Sequence, residues 1–243
     1  MGKTIAIVGA GEGIGLAVAE RFGREGFNVA LLARSASRTR GIVDRLASRG
    51  VEAAAFEADI LNREALIESL ERAAARFGSI DVMEFSPTPT GPMPAPRQMS
   101  VEDQQYHLEL NVLGPIAAVR AVLPEMLGRR SGSLLFTTAA SAQRPLIMTA
   151  PFGVAAGALL NYVRILNRDV SADGVYAGIV SIAGLIVNIG QTEAANAAYF
   201  PAAVPRIKAE AVADLHWRLH SERTDCEVII GDAERLYAIP GIR

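Results

Sequence analysis

Cysteine is almost missing from this 243-residue chain: Cys226 stands alone, which excludes an intrachain disulfide and fits a reducing compartment. Lysine is nearly as scarce, with only Lys3 and Lys208. Lys and Arg number 24 against 26 Asp and Glu, a net charge of -2, and no basic run stands out to support nucleic-acid binding. No uninterrupted apolar stretch reaches the length of a bilayer span, and Met-Gly-Lys-Thr runs straight into a strand pattern without a signal-peptide layout. A soluble cytoplasmic protein with no membrane partner is expected. Of the three histidines, His216 and His220 share a helical spacing but lack a third ligand, so no metal site is expected.

Half the residues are apolar, enough for a large core. Apolar β-branched runs alternate with helical patterns. Strands are read at 4–8, 28–32, 53–57, 80–85, 133–138, 177–182 and 227–230. Helices are read from residue 16, at 39–48, 64–77, 101–127 (bent near Gly114-Pro115), 152–170 and 212–221. Such alternation implies right-handed crossovers and one α/β domain over 1–243: a Rossmann-type, doubly wound, mainly parallel seven-stranded sheet with helices on both faces. Ligands on such sheets lie beyond the carboxyl ends of the strands, which gathers the loops at 9–15, 33–38, 86–96, 139–151 and 183–200 around one crevice. The alanine-rich loop 184–205, with Tyr199-Phe200, reads as an apolar substrate lid.

Gly9-Ala10-Gly11-Glu12-Gly13-Ile14-Gly15 joins the first strand to the first helix. Glycines there permit a tight turn, let backbone approach a pyrophosphate, and bring the helix N-terminus to the anion. The second strand ends in Ala33-Arg34-Ser35. Ala33 has no carboxylate for ribose hydroxyls, whereas Arg34 can pair with a 2′-phosphate, with Ser35, Arg38 and Arg40 as further donors. Glu12 opposes that phosphate, and the balance favours NADP over NAD.

The 9–13–15 glycine spacing resembles the Thr-Gly-x-x-x-Gly-x-Gly pattern of the short-chain dehydrogenase/reductase family, with Val8 in place of its threonine. Leu110-Asn111-Val112-Leu113-Gly114 resembles that family's Asn-Val-x-Gly, and 132–145 resembles its fifth strand and the segment beyond, so the likeness runs from residue 4 to about 183. The resemblance implies a cofactor site with Gly9, Gly11, Gly13, Ile14, Gly15, Arg34, Ser35, Asp59, Ile60 and Ser86. Asp59 would sit beside the adenine, or else cap the helix that follows it. The family's assembly implies a homodimer or homotetramer through the long helices.

The same resemblance exposes what is gone. The family's catalysis uses a serine, a tyrosine and a lysine four residues after the tyrosine; these positions hold Ala139, Phe152 and Ala156. Neither Lys3 nor Lys208 follows a tyrosine at that spacing, so no shift of register restores the pair. The fourth-strand Asn-Asn-Ala-Gly is replaced by Phe85-Ser86-Pro87-Thr88. Asn111 survives, and Ser141 lies two residues past the lost serine; these two are the catalytic candidates. Thr88, Thr90, Thr138, Gln143, Asn188 and Gln191 are further polar groups of the crevice loops.

The leading expectation is therefore an NADP(H)-binding, atypical oxidoreductase acting on a small organic substrate without the Tyr/Lys acid-base pair. Removing a positioned general acid costs about 10²–10⁴ in rate. The alternatives are a non-catalytic nucleotide-binding or regulatory protein, and a cofactor-independent lyase or cyclase reusing the crevice.

Overall fold

The computed structural model describes residues 2–187 and 203–239. Its elements run β1 (Thr4–Val8), α1 (Ile14–Arg24), β2 (Asn28–Ala33), α2 (Ala36–Ala47), β3 (Ala53–Glu57), α3 (Arg63–Phe77), β4 (Val82–Phe85), α4 (Val101–Leu108) and α5 (Gly114–Gly128). There follow β5 (Gly132–Ala139), α6 (Ala150–Val170), β6 (Val175–Ala183), β7 (Leu185–Val187), β8 (Arg206–Lys208), α7 (Ala209–Glu222), β9 (Glu227–Gly231) and α8 (Ala233–Ala238).

Seven strands form one parallel sheet in the order β3-β2-β1-β4-β5-β6-β9. The order reverses between β1 and β4, where Ile7 pairs with Glu84 and Val8 with Phe85. A small parallel pair, β7-β8, stands apart from the main sheet; no strand was expected at either position.

The apolar strands are buried on both faces because each face carries helices. Val8, Met83, Phe85, Leu134 and Phe136 face one core, with Leu70 of α3, Val119 of α5 and Leu160 of α6. Ile5, Ile7, Leu31, Leu135 and Val180 face the other, with Phe22 of α1, Leu46 of α2 and Val212 of α7. Successive strand side chains point to opposite faces, so one run of β-branched residues serves both cores.

Several boundaries differ from the sequence reading; β4 begins at Val82, α6 at Ala150 and β6 at Val175. Helix α2 begins at Ala36 rather than residue 39, and α7 at Ala209 rather than residue 212, because each first turn is polar or small and carries no apolar periodicity. The long helix at 101–127 is interrupted by a π-helical turn at Glu109–Leu113, just before Gly114-Pro115. Pro115 lacks an N–H to continue the ladder, and the Asn111 side-chain amide donates to the His107 carbonyl at 3.1 Å.

The sequence has no uninterrupted apolar stretch of bilayer length, yet two helical segments reach that length and apolarity by composition. Val101–Gly128 and Ile147–Asp173, of 28 and 27 residues, each hold an 18-residue stretch of mean hydropathy 1.4 and 1.2 respectively. Their apolar faces supply core residues such as Val119, Met126, Leu159 and Val163, which accounts for that composition.

Candidate functional site

A cavity of about 420 Å³ opens beyond the carboxyl ends of β1, β2 and β4, at the reversal of strand order. Its floor is the turn after β1. Gly9 and Ala10 both donate backbone N–H groups to the Leu32 carbonyl, at 3.0 and 2.9 Å, which bends the chain sharply out of the sheet. Gly9 has φ +89°, and a Cβ there would lie 2.7 Å from the Pro87 Cα, so both conformation and contact require glycine. Gly15 is equally constrained, since its Cβ would meet the Ala10 Cα at 3.0 Å. A Cβ on Gly11 would meet nothing within 4 Å, which leaves the backbone there open to an approaching group.

Gly13 is the N-cap of α1 and makes no side-chain cap bond. The first-turn N–H groups of a helix have no intrahelical acceptor, which suits an anion. Gly9, Gly11, Arg34, Asp59 and Ile60 line the cavity, as do Thr88 and Thr90. Gly13, Ile14, Gly15, Ser35 and Ser86 do not line it. Ser35 exchanges a hydrogen bond with Ser37 at 2.7 Å, and Ser86 turns inward to donate to Glu84 at 2.9 Å.

Asp59 is not the cap of α3. That role belongs to Asn62, whose Oδ1 accepts from the Ala65 N–H at 3.1 Å, while Asp59 Oδ1 accepts from Leu61 N–H at 3.1 Å and shapes the turn beside the cavity. The sequence reading missed Tyr106 and Leu110, which line the cavity from α4 and the π turn. Their i, i+4 spacing on one helix face, one turn from Asn111, was the available signal.

The catalytic candidates lie elsewhere. Asn111 is buried, and its amide is engaged with His107. Ser141 is buried with a hydroxyl that has no hydrogen-bond partner among the described residues, 3.9 Å from where a Cβ on Gly153 would stand. Ala139, Phe152 and Ala156 do not line the cavity. Ala156 is fully buried, and the Phe152 ring packs on His107. Gln143 turns to Ser181 and Glu227 at 2.7 and 2.6 Å, and the Thr138 hydroxyl is buried without a partner among the described residues. Asn188, Gln191, Tyr199 and Phe200 fall outside the described residues, as does the side chain of Arg38.

Sequence reading also overlooked Glu84, a carboxyl group in the middle of the sheet with no solvent exposure. Burial raises its pKa to about 8 against the lowering effect of the Ser86 and Thr137 hydrogen bonds. Thr137 Oγ1 stands 3.2 Å from Glu84 Oε1 and 2.8 Å from His216 Nε2. Burial in turn lowers the His216 pKa to about 3. A neutral acid and a neutral imidazole thus share one threonine beneath the site. His220 bonds instead to Ser133 at 2.8 Å, so the two histidines do not converge.

The family model for short chain dehydrogenases matches residues 3–198. Among curated proteins, glucose 1-dehydrogenase 2 of Bacillus subtilis is 28% identical over 182 residues, 74% of this chain and 70% of that protein. Oxidoreductase UcpA of Escherichia coli K12 is 29% identical over 179 residues, 73% of this chain and 66% of that one. Among solved structures, L-sorbose reductase of Gluconobacter frateurii, complexed with NADPH and L-sorbose, superposes with a TM-score of 0.85 over 98% of both chains at 23% identity. A metagenomic short-chain oxidoreductase in complex with NADP gives 0.79 over 94% of this chain and 96% of that one, at 19% identity. With four-fifths of its length under one family model and the strand order of that fold, the chain belongs to the short chain dehydrogenase family.

Proposed function

We propose that the chain binds NADP(H) in the cavity between β1, β2 and β4 and acts as an oxidoreductase on a small organic substrate without a tyrosine-lysine acid-base pair. The observation that carries this reading is the convergence of Arg34, beside Ala33 at the end of β2, with Gly9, Gly11, Asp59 and Ile60 on one cavity. The residues present fit a phosphorylated adenosine. Arg34 offers a permanently charged guanidinium to a 2′-phosphate, Ala33 leaves the ribose without a competing carboxylate, and the backbone at Gly11 is unobstructed. Glu12 also lines the cavity and disfavours a phosphate placed close to it.

The bound cofactor would supply hydride. The chain's own residues hold and orient it. With Ala139, Phe152 and Ala156 at the usual positions, no side chain there stands ready to deliver a proton. This favours an acceptor that requires no protein acid, such as an iminium or a conjugated alkene. Thermal shift with NADPH and NADH tests the cofactor: at a ligand concentration of about 100 Kd the folded state gains about 2.7 kcal/mol. NADPH is expected to shift the transition more than NADH at equal concentration, and no shift with either would sink the reading. Oxidation of bound NADPH by a cyclic iminium or an enone, but not by simple ketones, is the activity expected.

A second reading, a nucleotide-binding protein without catalysis, is favoured by the burial of Ala156, where the family's lysine would stand. Exposed Val154 and Ile165 on α6 support the further proposal of self-association through that helix.

A further inference from the structure

The segment 86–95 carries Pro87, Pro89, Pro92 and Pro94, so it has few backbone donors with which to fold on itself. It nevertheless holds a defined path along the cavity, contributing Pro87, Thr88 and Thr90 to the lining. Helix α4 holds it there. The Tyr106 hydroxyl accepts from the Thr90 backbone N–H at 3.1 Å and lies 3.3 Å from Thr90 Oγ1. Its ring lies so close to Gly91 that a Cβ on that glycine would come within 2.3 Å of the ring carbons. One residue further on, His107 Nε2 meets the Pro92 carbonyl at 3.0 Å. At the loop's other end, the Pro87 backbone presses on Gly9 of the glycine turn.

From this geometry we propose that Tyr106 is a positioning residue for the nucleotide. Through Thr90 it fixes the proline-rich loop as the wall of the cavity opposite Arg34, and so sets the width of the site. The inference rests on the NADP(H) reading of the same cavity. Without the phenol hydroxyl the Thr90 N–H loses its acceptor, and a proline-rich segment has little else to hold it. Tyr106 itself lines the cavity, so a displaced loop and a displaced ring open the same space.

Isothermal titration of NADPH into the wild type and into Tyr106→Phe, Thr90→Val, Thr90→Ser and the Tyr106→Phe/Thr90→Val pair tests this. Tyr106→Phe is expected to raise the Kd about 3–10-fold, the range of one or two lost hydrogen bonds. Thr90→Val should raise it less, since the backbone bond persists, and Thr90→Ser, which keeps the hydroxyl, should raise it less than Thr90→Val. The double variant should match Tyr106→Phe alone, because both act through one contact. A purely structural role for Tyr106 would instead lower the melting temperature of the unliganded protein while leaving the Kd intact. A Kd for Tyr106→Phe within twofold of wild type, or effects that multiply in the double variant, would overturn the proposal. Failure of the wild type to bind NADPH would sink the cofactor reading and the latch with it, whereas binding unmoved by these substitutions would sink the latch alone.

Discussion

Phe152 and His107 meet edge to face, with ring centroids 6.2 Å apart and planes at 73°. Phe152, which the resemblance sets at the family's tyrosine position, is thus packed against a buried imidazole whose Nε2 bonds to the proline-rich loop. Three and four residues further along α6, Ala155 and Ala156 sit in the protein interior. This face of α6 is a packing surface.

Restoring the family's lysine should therefore harm the fold. Ala156→Lys places a long cationic side chain in a fully buried alanine site, at a cost of about 1–3 kcal/mol for overpacking alone. For a chain of this length the melting temperature should fall by about 2–10 °C. An Ala156→Lys variant as stable as wild type would show that the helix face opens onto free space.

Glu84 gives a pH signature. Its folded pKa is raised from 4.5 to about 8, so between those values the folded state binds a proton that the unfolded chain has released. Stability is then lost as pH rises through that window, by up to about 1.4 kcal/mol per pH unit. His216 acts the other way and lower down. Its pKa falls from 6.5 to about 3, so its contribution rises with pH across that range. Glu84→Gln keeps the shape and an acceptor for Ser86 and Thr137 but removes the proton. Its stability relative to wild type should grow steadily from pH 5 to pH 8, measured by urea unfolding at each pH. A constant difference would contradict the assignment of a neutral Glu84.

Gly9 ties conformation to binding. Gly9→Ala forces a side chain into a left-handed φ of +89° and against the Pro87 backbone, a strain of about 1–3 kcal/mol. The expected outcome is both a lower melting temperature and weaker NADPH binding, by tenfold or more, because the turn and the proline-rich loop shift together. Loss of stability with unchanged Kd would separate the turn from the site.

The sequence announced the fold through periodicity: seven short, largely apolar runs separated by helical stretches leave few alternatives to a parallel sheet, and all seven strands pair as such. Gly9, Gly11 and Arg34, read from the turns that follow β1 and β2, and Asp59 and Ile60, named from the resemblance, line one cavity. What stayed hidden depends on distant partners. Glu84 sits in an apolar run and reads as a strand residue; only the approach of Thr137 and His216 from other elements makes it a buried acid. Ser86 reads as a crevice residue, yet that same acid draws its hydroxyl inward. Tyr106 looked like one helical residue among many until the loop it binds was in place. The π turn at Glu109–Leu113 has no periodicity of its own, and only the bond between Asn111 and His107 marks it.

The central claim is that the phosphate end of the site persists while the catalytic end has been rebuilt in apolar residues. It is tested most directly by isothermal titration of NADPH and NADH into the wild type and Arg34→Ala. The account predicts that NADPH binds at least tenfold more tightly than NADH, and that Arg34→Ala abolishes most of this preference, as expected for a charge-assisted contact of about 1.5–3 kcal/mol. Equal affinity for the two cofactors in the wild type, or a preference that survives Arg34→Ala, would contradict it.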